Sequence, residues 1–165
     1  MLDKAVQFAT KAHGSQVRKY HGTPYISHPL AVAEIVKSVP HTEEMLMAAV
    51  LHDVVEDTPV TIDEIKQEFG DTVAEIVYFL TDISKPEDGN RAHRKQLDAE
   101  HNANGPAEAQ TVKVADLIHN SSDIAAHDPR FWRTYKMEKL NTLNMLDKAD
   151  ETLKARAFAQ IMDGK

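Results

Sequence analysis

Apolar residues recur along this chain at helical rather than alternating spacing. Leu2, Ala5, Val6 and Ala9 share one helical face, which predicts an amphipathic opening helix that stops near Gly14. Residues 15–27, with Gly22 and Pro24, read as a loop. Pro29 suits the first turn of a second helix with Ser27 or His28 near its cap, and Leu30, Val32, Ala33, Ile35 and Val36 carry it to about Val39 before Pro40. Thr42 is placed to cap a third helix, with Glu43 and Glu44 where the helix dipole favours acids, running through Leu46, Ala49 and Val50 into His52-Asp53. Thr61-Ile62-Asp63-Glu64 is a capping box, Gly70 a stop, and Asp71 the start of a helix through Val73, Ile76, Val77 and Leu80. Further helices are predicted over about 91–102, 107–124, 129–146 and 150–162, separated by Pro86, Gly89 and Gly105-Pro106. No segment shows sustained period-two alternation, so the expectation is an all-α fold, a single domain over residues 1–165.

Composition narrows the chemistry. The chain has no cysteine, which excludes a disulfide framework, a thiol nucleophile and a thiolate metal site. Any metal must be held by nitrogen and oxygen. A formal net charge of -7 argues against a long nucleic-acid partner but not against a small phosphorylated ligand, because a metal and a few local cations reverse the field inside a pocket. The loop before Pro24 supplies such cations, Arg18 and Lys19, with His21 beside them. Without a signal-peptide core or a spanning apolar run, a cytoplasmic protein with no membrane partner is expected; the oligomeric state is left open.

The tract Leu51-His52-Asp53-Val54-Val55-Glu56-Asp57 is the most informative. Taken alone, His52-Asp53 has two readings: a buried histidine with its salt-bridge partner, or adjacent ligands of one ion. Glu56 and Asp57 follow at i+4 from His52 and Asp53, on the same helical face, and crowd three acids together. A divalent cation would relieve that repulsion. Ser27-His28-Pro29 puts another imidazole at a helix start, and Val112-Lys113-Val114-Ala115-Asp116-Leu117-Ile118-His119-Asn120 puts an acid inside an apolar helix, where it needs a partner. Mixed imidazole and carboxylate donors suit Mn, Fe, Zn or Co better than an all-oxygen Mg or Ca cage.

Three stretches, Thr23-Pro24-Tyr25-Ile26-Ser27-His28-Pro29, Ala49 to Thr58, and Val112 to Asn120, resemble in order and spacing the main motifs of the HD-superfamily hydrolase domain of RelA/SpoT-type alarmone enzymes. The likeness spans roughly Leu2 to Asn120. It implies a compact HD-domain helical bundle of about eight helices and, with no synthetase or regulatory extension, a stand-alone small alarmone hydrolase. On that resemblance His28, His52, Asp53 and Asp116 would bind Mn2+ or another divalent transition metal. Glu56 and Asp57 would orient and deprotonate the water, and Arg18, Lys19 and Asn120 would contact the nucleotide. The implied activity is removal of pyrophosphate from the 3′ position of guanosine tetra- or pentaphosphate (ppGpp or pppGpp), leaving GDP or GTP.

Arg91 and Arg94 are either phosphate binders or a solvated basic face, as relatives place phosphate-binding residues in this region. Lys113 either binds phosphate or pairs with an acid. Tyr135 falls where relatives carry a nucleotide-contacting tyrosine, and is otherwise a half-buried aromatic. Several relatives have Arg where this chain has Ser122, so adenosine alarmones or another phosphorylated nucleotide such as NADPH stand as alternative substrates. Separate alternatives are a general nucleotidase of nucleoside monophosphates and a non-catalytic nucleotide sensor. His13, His21, His41, His93, His101, His119 and His127 read as surface or structural.

Overall fold

The computed structural model describes residues 1–163. Ten α-helices, one 3-10 turn and no strand occur among the described residues. A single isolated antiparallel bridge joins Val17 and Pro24. The all-α expectation holds. No helix among the described residues is long and apolar enough to cross a membrane. Packing divides the chain into two units, Met1–Thr81 and Asp82–Lys165.

The first unit holds α1 (Leu2–His13), α2 (Ser27–Val36), α3 (Glu43–Leu51), α4 (Val54–Asp57), α5 (Ile62–Phe69) and α6 (Asp71–Leu80). Every residue of α3 from Met45 to Leu51 is buried, and α1, α2 and α6 pack against this helix. Ala48 and Ala49 have no accessible surface, so neighbouring helices approach it closely. Local chemistry sets the ends. Thr42 Oγ1 accepts from Met45 N at 3.2 Å, and Thr61 with Glu64 forms the full capping box. Gly70, at φ 95, ends α5 and starts α6 without a connecting loop, a conformation that strains any residue bearing a Cβ.

The second unit holds the 3-10 turn Pro86–Asp88, α7 (Arg91–Ala103), α8 (Ala107–His127), α9 (Pro129–Met145) and α10 (Glu151–Asp163). α8 is its axis, with α7, α9 and α10 packed around it. Buried polar residues tie its connections. Gln110 donates to Ala103 O and Gly105 O, both at 3.0 Å, and accepts from Lys148 N at 2.8 Å. Asp98 accepts from Ile83 N, Ser84 N and Ser84 Oγ, collaring the segment that leads into α7.

The ten α-helices among the described residues come close to the expected eight or so. The difference lies chiefly at His52-Asp53, where one helix was expected to continue and the backbone instead divides into α3 and the short α4. His52 (φ -62, ψ -30) and Asp53 (φ -96, ψ -4) stay in or near the right-handed region, so neither glycine nor proline marks the break.

Replacing Gln110 with Met should strand backbone groups on both sides of α8, at a cost of about 1–3 kcal/mol. A urea titration should show a lower midpoint with an unchanged slope; an unaltered midpoint would show that these hydrogen bonds are dispensable.

Candidate metal centre and active site

The first unit brings His28, His52 and Asp53 together. Each offers a ligand atom, and these atoms lie within 4.8 Å of one another. His28 is the second residue of α2 and 1% exposed; His52 follows the last residue of α3 and is 3% exposed. Asp53 Oδ2 lies 3.1 Å from His52 Nε2 and 3.6 Å from His28 Nε2. The hydroxyl of Tyr25 donates to the same oxygen at 2.6 Å.

Aspartate at a helix start ordinarily caps the first turn. Asp53 stands at that position for α4 and makes no such bond. Its carboxylate faces Tyr25 and the two imidazoles instead, so a local stabilisation of about 1 kcal/mol is given up for the cluster.

Hydrogen bonding also fixes the His52 ring. Its Nδ1 lies 2.6 Å from Ala49 O. A carbonyl only accepts, so Nδ1 carries the proton and the neutral ring presents a lone pair at Nε2. That lone pair faces a carboxylate oxygen, and two acceptors at 3.1 Å repel unless a proton or a cation lies between them. Backbone-anchored imidazole beside a carboxylate is the arrangement a divalent ion requires of its ligands. The donor set, two nitrogens and a carboxylate with no sulfur, fits a transition ion of borderline softness.

Glu56 and Asp57 lie on α4, one turn beyond Asp53, and both are exposed. The i+4 spacing survives the helix break for one pair, because Asp57 N donates to Asp53 O at 3.0 Å. Packing strips part of the hydration from the Asp57 carboxyl and, with the nearby Asp53 charge, pushes it above the ordinary carboxylate range. A hydrogen bond from Gln16 and the proximity of His13 and His52 act in the opposite direction. Arg18 and Lys19 sit in the turn bounded by the Val17–Pro24 bridge, where Arg18 N donates to Thr23 O at 2.8 Å. Lys19 is exposed, with its Nζ 5.4 Å from the centre of the Tyr20 ring.

In the second unit Asp116 is buried on α8. Asn120 Nδ2 donates to its Oδ1 at 3.1 Å, and Lys113 Nζ lies 3.4 Å from its Oδ2. The partner that a buried acid demands is therefore supplied partly from one turn on either side. Of the two readings of Lys113, pairing with an acid is the one observed. Arg91 makes a two-pronged bond to Glu138, at 2.8 and 3.0 Å, and stacks over Phe131. Tyr135 is buried beside Trp132 and Phe131. Burial, and then the Asp116 charge, push its phenol well above the usual range, so it stays protonated.

Two residues near these positions escaped the sequence reading. Tyr25 lay within a quoted motif, but its bond to Asp53 depends on how the loop folds back. Lys139 carried no motif signal at all. Its ammonium is buried over the Tyr135 ring, and desolvation, with Lys113 and Lys95 nearby, pushes its pKa down to about 8 against the weaker pull of Asp116 and Asp82.

Two measurements follow from these environments. The unfolded chain holds the Lys139 proton to higher pH than the folded one, so stability should rise with pH between about 8 and the ordinary lysine range. Lys139→Met should raise the melting temperature at pH 7 and flatten that rise; a melting profile identical to wild type across pH 7–10 would contradict the burial. Tyr25→Phe should weaken metal retention modestly, and His52→Ala should lower metal content and melting temperature together, both read by elemental analysis and thermal melts.

Comparison with known proteins gives a family and relatives for nearly the whole chain. The HD domain model matches residues 5–163. The guanosine-3′,5′-bis(diphosphate) 3′-pyrophosphohydrolase MESH1 of Danio rerio is 37% identical over 143 residues, covering 84% of this chain and 77% of that protein. The Homo sapiens protein of the same name is 36% identical over 141 residues with the same coverage. A solved structure described as a metazoan ortholog of SpoT that hydrolyzes ppGpp and plays a role in starvation responses superposes with a TM-score of 0.85 at 28% identity, over 98% of this chain and 93% of that one. Adjacent His52 and Asp53, the second imidazole of His28, and a family match running through almost the whole length lead to one conclusion: the chain belongs to the HD-domain family.

Proposed function

We propose that this protein is a manganese-dependent 3′-pyrophosphohydrolase of guanosine tetra- and pentaphosphate. The observation that carries the proposal is the His28-His52-Asp53 cluster, in which a carbonyl-anchored imidazole turns its lone pair to a carboxylate. The activity of the relatives at 36–37% identity supplies the substrate class. Residues 1–165 are taken as one phosphohydrolase domain, supported by a family match that runs across the boundary between the units. Asp116 is proposed as the fourth ligand on its motif and its burial. The cytoplasmic setting belongs to the same proposal.

When bound, a divalent ion acidifies water and offsets charge on the phosphoryl oxygens. The chain's own residues do the rest. Water attacks the phosphorus attached to O3′ and the P–O3′ bond breaks: the water's oxygen departs in pyrophosphate, and the released 3′-oxygen takes up a proton to become the 3′-hydroxyl of GDP or GTP. Glu56 and Asp57 are assigned to orient that water and take its proton. The raised Asp57 pKa suits the task, since a carboxylate of ordinary acidity is a weak base. Arg18 and Lys19 are assigned to the nucleotide's base and phosphates, with Asn120 and Tyr135 as further nucleotide contacts. Arg91 keeps a substrate role in this proposal only if the phosphates compete with Glu138 for its guanidinium.

Incubation of ppGpp with the protein and Mn2+, with products separated by anion-exchange chromatography, should release GDP and pyrophosphate. Asp57→Asn should lower kcat by roughly 10²-fold or more without loss of bound metal. Orthophosphate release from nucleoside monophosphates with ppGpp untouched would favour a general nucleotidase, and tight nucleotide binding without turnover would favour a sensor.

A further inference from the structure

His13 ends α1 on the stripe that begins with Ala5 and Ala9, and only 6% of it is exposed. A ring so deeply buried needs a defined partner for its N–H. Its Nδ1 lies 3.1 Å from Gln16 Oε1, and its Nε2 has no hydrogen-bond partner among the described residues. A neutral imidazole has one N–H and one lone pair, and an amide oxygen only accepts. The proton therefore belongs on Nδ1. The other tautomer would bury an unpartnered N–H at Nε2 and set two acceptors against each other at Nδ1.

This bond decides the direction of the Gln16 side chain. With its oxygen turned to His13, the amide NH2 faces away, and the side chain hydrogen-bonds the Asp57 carboxyl. Both contacts require the same amide orientation, because a carboxylate can only accept. The Gln16 backbone is pinned as well: its N–H donates to His13 O at 3.0 Å, and its carbonyl accepts from Tyr25 N at 2.9 Å. The His13 ring rests against Tyr25, centres 4.7 Å apart, and Tyr25 is the residue whose hydroxyl holds Asp53.

We infer that His13 and Gln16 are positioning residues for the reaction: His13 fixes the Gln16 amide, and the amide fixes the Asp57 carboxylate. The inference rests on the reading of Asp57 as proton acceptor. Through Tyr25 the same short segment steadies a metal-site carboxylate, so the end of α1 and its following turn serve both halves of the proposed chemistry.

The test compares wild type with Gln16→Leu, His13→Leu, His13→Asn and Asp57→Asn on ppGpp with Mn2+. An asparagine amide offers an N–H close to where Nδ1 stood, so it can replace the donor without the ring. Gln16→Leu and His13→Leu should lose roughly 10- to 100-fold in kcat with KM and metal content unchanged, and His13→Asn should recover most of the loss. Nitrogen-15 NMR of the Mg2+-loaded protein should show His13 as the Nδ1–H tautomer, and Gln16→Leu should abolish that preference. Full kcat in Gln16→Leu beside an inactive Asp57→Asn would overturn the inference, as would an Nε2–H tautomer in wild type or equal losses in His13→Asn and His13→Leu. A wild type that releases no pyrophosphate would overturn the functional reading itself, and the catalytic role with it. The tautomer measurement would then still decide whether the His13-Gln16 bond exists.

Discussion

One hydrogen bond, from His52 Nδ1 to the Ala49 carbonyl, sets what the His28-His52-Asp53 cluster can do chemically. It joins two groups three residues apart at the end of a buried helix, and its consequence is electronic rather than structural. By fixing the proton on one ring nitrogen it commits the other to act as a donor of electrons, toward Asp53 and within reach of His28. Everything attributed to the cluster follows from that commitment. Were the ring free to exchange tautomers, His52 and Asp53 would be an ordinary buried pair.

The break between α3 and α4 gives that ring its surroundings. An unbroken helix would point consecutive side chains some 100° apart. Here the backbone relaxes at Asp53, and its carboxylate can meet Tyr25 and both imidazoles while Asp57 N still reaches Asp53 O. The cap forgone at Asp53 is the local cost of turning its carboxylate to the cluster. In the second unit Asp116 is satisfied differently, by an amide and an ammonium from its own helix.

Helix ends were legible from sequence because their causes are local: Thr42, the Thr61-Glu64 box and Gly70 each act within a turn of themselves. His52, Asp53 and His28 were legible because two motifs placed scarce residue types at helix ends. The break at Asp53 was not, since its backbone angles suit any residue. For Arg91 the sequence left phosphate binding and a solvated basic face both open, because Glu138 lies 47 positions away and only tertiary packing brings the two together. Tyr135 was uncertain for a similar reason: its depth depends on Trp132 and on how α9 meets α8. His13, by contrast, stood on the same stripe as Ala5 and Ala9, so its burial could have been read from spacing, whereas its bond to Gln16 could not.

The encirclement of α3 sets limits on how this protein can change. A helix with an open face absorbs added volume by tilting toward solvent. From Met45 to Leu51 no such face exists, and the helix ends at the ring that joins His28 and Asp53 in one cluster. Extra methylenes there would press along the axis on His52, turning a packing defect into a defect of the cluster. Room for sequence drift or engineering lies instead at exposed helix positions away from the cluster, such as Thr72 and Glu75 on the outer face of α6.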